Sequence, residues 1–61
     1  MIERRMTLKT EEQAKRLAKE LNGMSGVWGA CTDGRMVIVS YTNGDAVRVG
    51  EQKFFEIYDE D

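Results

Sequence analysis

The chain has no histidine and no proline, a single cysteine, and only one tryptophan, two tyrosines and two phenylalanines among 61 residues. Without histidine it lacks both the commonest general base and the commonest metal ligand. Cys31 alone forms no disulfide within the chain and builds no thiolate zinc site. An unpaired cysteine in a chain with no other covalent support fits a reducing compartment. Long apolar runs are missing as well. The longest is Met36 to Val39, far below the roughly 20 residues that span a bilayer. Arg4 and Arg5 have no apolar stretch behind them, so no signal peptide is expected. The expected location is the cytoplasm of a bacterial or an infected host cell, with no membrane partner.

What is present describes a small folded unit. Apolar residues make up 41% and charged residues 33%, a globular composition. A chain of this length forms one domain, residues 1–61, and buries about 60% of the surface its unfolded form exposes. An enclosed cofactor domain is thereby excluded, and no cofactor is expected. The net charge of −2 is unevenly spread. Residues 51–61 carry five acids against Lys53, whereas residues 1–50 carry six acids and eight bases. The acidic end, Asp59, Glu60 and Asp61, reads as a flexible solubilising tail or as a handle for a basic partner. A free tail of this kind offers no rigid cage for a cation.

Along the chain the apolar spacing predicts the elements. Ile2, Met6 and Leu8 alternate with polar residues, interrupted by Arg4, as in an edge strand. Thr10-Glu11-Glu12-Gln13 fits a capping box, and Ala14, Leu17, Ala18 and Leu21 form one helical stripe that Asn22-Gly23 ends with a left-handed residue. Glu11–Lys15 and Glu12–Arg16 are ion pairs in the favourable order along that helix. Strands are then predicted over Val27 to Thr32, Arg35 to Thr42 and Asp45 to Val49, joined by Asp33-Gly34 and Asn43-Gly44 as type I′ hairpin turns. Phe54 to Tyr58 fits a helix or a strand, and its two adjacent aromatics favour a strand. The expected fold is α+β: a small antiparallel sheet of three to five strands with one amphipathic helix on one face, in the order β-α-β-β-β with a possible last strand.

Hairpin turns fix a register, and register assigns faces. With Thr32 opposite Arg35, one face carries Val27, Cys31, Met36, Ile38, Val47 and Val49, and the helix is expected there. The other carries Trp28, Ala30, Val37, Val39, Tyr41 and Ala46, flanked by Arg35 and Arg48. One helix covers only one of two apolar faces. The second face is therefore expected to meet the chain's own terminus, a protein partner or second copy, or a single-stranded nucleic acid stacked on Trp28 and Tyr41. The acidic balance argues against nucleic acid.

The chemical alternatives are poorer. Cys31 has no histidine to activate it and is expected buried. Asp33 and Asp45, at opposite ends of one strand, lie roughly 25 Å apart at the rise of an extended chain, too far for a carboxylate pair. Gly23, Gly26 and Gly29 run from helix to strand, the reverse of a phosphate-binding loop. The function expected is a non-enzymatic binding protein, a regulator or inhibitor of the sort phages encode, and a homodimer is one of its expected forms. Its partner-binding residues would be Trp28, Val37, Val39, Tyr41, Arg35 and Arg48, with the tail Asp59, Glu60 and Asp61.

Overall fold

The computed structural model describes residues 1–60. Its elements run β1 (Ile2–Thr7), α1 (Glu11–Asn22), β2 (Val27–Asp33), β3 (Met36–Tyr41) and α2 (Gly44–Tyr58). The sheet order is β1-β3-β2, with both outer strands antiparallel to β3. Both helices lie on one side of the sheet, so the order is β-α-β-β-α with three strands and two helices rather than one.

The first helix follows its sequence signals closely. Thr10 takes the extended cap conformation and its hydroxyl accepts from the Gln13 amide at 3.1 Å. Ala14, Leu17, Ala18 and Leu21 are all buried, as the stripe requires. Gly23 ends the helix but has φ −90°, so the expected left-handed stop is absent there. The left-handed residue comes three positions later, at Gly26 with φ 84°. A side chain at Gly26 would also collide with Ala46 of α2, 2.8 Å from its Cβ, so this glycine lets the connector pass close to the second helix. Arg16, expected to pair with Glu12, reaches instead across to Glu60, one contact being Nη2 to Oε1 at 3.1 Å.

The hairpin β2–β3 forms where it was expected, but Asp33 pairs with Met36 and the two-residue loop is Gly34-Arg35. Only Gly34 has positive φ, 64°, the pattern of a type II′ turn. The second hairpin does not exist. Asn43 has extended φ −155° and caps a helix: its side-chain carbonyl accepts from the Ala46 amide at 2.9 Å. Asp45 to Tyr58 then continue as α2, burying Ala46, Val47, Gly50 and Ile57. The expected strand over 45–49 and the strand favoured over 54–58 are both parts of this helix. An asparagine–glycine pair serves a tight turn and a helix start equally well. The apolar stripe 46, 47, 50, 54, 57 emerges only when the pattern is followed through the charged Glu51 to Lys53.

The core decides which sheet face is inside. Val37, Val39 and Tyr41 are fully buried beneath the helices, together with Leu8, Leu17, Leu21 and Ile57. The expected partition of β3 into two faces is correct, but the helices cover the opposite face from the one assigned. Strand β1 supplies the reason. Its Ile2 and Met6 stand opposite Tyr41 and Val37, while Glu3 and Arg5 stand opposite Ser40 and Ile38. Pairing β1 with β3 thus puts a charge pair on the Met36/Ile38 side and leaves that side to solvent.

Candidate functional site

Of the two sheet faces, one is covered by α1 and α2 and the other is open. On the open face, β3 contributes Met36, Ile38 and Ser40, all half-buried. Strand β2 contributes Cys31 and Asp33 at register positions opposite Ile38 and Met36. Strand β1 contributes Glu3, Arg5 and Thr7. Arg5 Nη2 lies 3.6 Å from Glu3 Oε1, an exposed pair along one strand.

Trp28 completes this face through an irregularity of β2. The register with β3 shifts between Val27 and Gly29, so two residues of β2 are accommodated where β3 has one step. The bulge keeps Val27 opposite Tyr41 on the helix side and frees Trp28, which is 69% exposed. Beyond the bulge lies a shallow hollow bounded by Trp28, Met1 and Glu3, with Gly29, Ile38 and Ser40 among the residues that line it. The small residues make the floor low, and Trp28 stands above it.

The sequence-derived partner residues are therefore not brought together. Trp28 is on the open face, but Val37, Val39 and Tyr41 have no exposed surface and belong to the core. They are covered by α1 together with α2, the chain's own C-terminal segment, which was one of the three occupants expected for that face. Tyr41 and Trp28 do not form a two-ring platform, because one is buried under α2 and the other lies outside. Arg35 sits in the hairpin loop, and Arg48 projects from α2 rather than from a strand.

The acidic end is likewise redistributed. Asp59 closes α2, its amide donating to the Phe55 carbonyl at 3.0 Å. Glu60 is engaged by the Arg16 guanidinium, whose hydrogen bonds and charge hold its carboxyl below the usual carboxylate range. Asp61 lies outside the described residues. Gln13, which sequence reasoning placed only in the capping box, is the hub here. Its carbonyl accepts from the Lys9 amide at 3.0 Å, and its amide donates to the Ile57 and Glu60 carbonyls at 3.0 and 3.2 Å. One side chain thus ties the start of α1 to the end of α2. The available signal was its position one turn before Leu17, on the apolar side of the helix.

Cys31, expected in the core, is exposed and unpaired on the open face. Exposure follows from the same choice of face, since Cys31 stands opposite Ile38. Among the described residues no three of cysteine, aspartate or glutamate converge as metal ligands, and no helix is long and apolar enough to cross a membrane. Comparison with protein-family models, with curated proteins and with solved structures finds no match to this chain.

Proposed function

We propose that this chain is a non-enzymatic binding protein that acts by protein–protein contact, regulating or inhibiting a partner by occupying it through the open sheet face. One observation carries the reading: Trp28 is held out of the core by a β-bulge, at the rim of a hollow that Ile38 lines on the open face. Tryptophan is among the residues that dominate binding energy at protein interfaces, and a bulge is a common way to re-aim a side chain. The surrounding charges are mixed, Glu3 and Asp33 against Arg5, which suits a protein surface better than a polyanion. Three strands at about 4.8 Å spacing give a face about one helix wide, so the partner fitted to it presents a helix with an apolar stripe. The exposed free thiol of Cys31 on the same face fits the reducing cytoplasm.

The test compares the native chain with Trp28→Ala. Both are used to capture partners from a lysate, and the affinity of a captured protein is then measured with each at low and high salt. The reading expects at least about a tenfold loss for Trp28→Ala with unchanged folding, and binding that persists in high salt. Affinity that is indifferent to Trp28, or that falls linearly with salt on logarithmic axes as for nucleic acid, overturns it.

A further inference from the structure

The two edges of the sheet are unequal. On the outer edge of β2, the backbone of Ala30 points away from β3, and the Asn22 carboxamide takes both of its groups. Asn22 Oδ1 accepts from the Ala30 amide and Nδ2 donates to the Ala30 carbonyl, each at 2.9 Å. That side chain occupies the edge as a neighbouring strand would. The outer edge of β1 is not covered in this way. The Leu8 amide donates to the Arg35 carbonyl at 2.8 Å, which fixes the phase of the ladder. Ile2, Arg4 and Met6 therefore exchange hydrogen bonds with β3, and Glu3, Arg5 and Thr7 turn their backbone groups outward. Arg4 donates to the Glu3 carbonyl at 3.1 Å, an exposed contact between adjacent residues.

We infer that the β1 edge is a self-pairing surface, joining β1 of a second copy antiparallel across a two-fold axis to form one continuous sheet. This inference stands on the strand edge and is independent of the Trp28 face. Symmetry limits the register, because outward groups must meet outward groups. Centring the axis on Arg4 places Glu3 opposite Arg5 of the second copy, and Arg5 opposite its Glu3, on the open face. It also places Ile2 opposite Met6, twice, on the helix side. Centring on Arg5 instead sets that arginine against itself and leaves Glu3 opposite Thr7. The first register gives Glu3 and Arg5, which contact each other at 3.6 Å within one strand, an opposite charge across the axis as well, and it pairs both apolar residues of the edge. Its cost is Arg4 meeting its own copy on the axis, and the Glu3 carbonyl exchanging the Arg4 guanidinium for a backbone amide. Because α2 packs on β1 and α1 on β2, the same axis brings the two α2 helices toward each other and extends the contact beyond the strands.

Sedimentation equilibrium of the native chain from micromolar to millimolar concentration should give twice the mass of 7.0 kDa. Arg5→Glu and Glu3→Arg each set like charges face to face at two places in the interface. Each should weaken association by at least about tenfold, and the combined Glu3→Arg/Arg5→Glu exchange should restore it. Arg5→Pro removes an outward amide that β3 does not use, so it should abolish the dimer while circular dichroism stays that of the folded chain and melting stays cooperative but no longer depends on concentration. A chain that stays monomeric throughout, a double exchange that fails to restore association, or a dimer that survives Arg5→Pro overturns the inference.

Discussion

The side chain of Tyr41 crosses the core to lie against α2 at Gly50, where an added Cβ would stand 2.7 and 2.8 Å from two ring carbons. Glycine in a helix interior costs about 1 kcal/mol relative to alanine, and here the missing side chain makes room for the ring. The Tyr41 hydroxyl is buried with no hydrogen-bond partner among the described residues. Burial, together with Glu51, raises its pKa above the ordinary tyrosine value against an opposing effect of Arg4. Tyr41→Phe removes the orphaned group and should stabilise the chain by about 1 kcal/mol, read as a higher melting temperature. The sign of the pH dependence follows from the raised value. The folded state keeps the proton longer than the unfolded state, so stability is fully present below about pH 10 and falls as pH rises through the folded pKa. Tyr41→Phe should remove that alkaline loss, and an unchanged alkaline transition would place its source elsewhere.

At the scale of the element, α2 is where sequence patterning and structure part. Its start depends on Asn43, whose side chain caps the Ala46 amide, and its end on Gln13 and Arg16. Asn43→Ala should cost about 1 kcal/mol, whereas Asn43→Ser, which keeps a capping oxygen, should cost little. A left-handed hairpin turn would tolerate neither, so unfolding curves of the two variants separate cap from turn. Glu60 gives a second check. Arg16 depresses its carboxyl, so the ion pair contributes above the unfolded carboxylate value near 4.3 and loses that contribution as pH falls through the folded value. Glu60→Gln should flatten this acid-side dependence by a small amount, as expected for an exposed pair, and proton titration of the Glu60 carboxyl by NMR should show the depressed midpoint directly. The first helix was legible because four apolar residues, a capping threonine and a following glycine agree. The second was not, because Val47, Val49 and Gly50 favour other structures locally, and only packing on Tyr41 makes the helix the better solution.

For the whole molecule, burial separates two residues that the sequence placed on one surface. Trp28→Ala acts on an exposed side chain and should leave stability within about 0.5 kcal/mol, while Val39→Glu buries an unpaired carboxylate and should unfold the chain at neutral pH. Thermal melts of the two variants make the comparison. A large loss from Trp28→Ala would mean that the tryptophan is packed and that the open face is not available to a partner. The candidate site was legible in part. Trp28 could be named from its type and position, but its companions could not, because the face it occupies depends on a bulge whose one local signal is the mid-strand Gly29.

The sequence by itself determined the class of the chain: α+β, with a first helix over 11–22, a hairpin between β2 and β3, and no histidine side chain. These follow from local causes, namely apolar period, caps, turn glycine and composition, which act whatever the rest of the chain does. Tertiary structure alone decided that β1 is the second neighbour of β3, that Gly44–Tyr58 form a helix, and that Val37, Val39 and Tyr41 face inward. Both faces of β3 are apolar, so its own pattern is indifferent between them. The choice was made by residues distant in sequence, by Glu3 and Arg5 entering one face and by Ala46, Gly50 and Ile57 closing the other, because charge stays in water and apolar surface is removed from it.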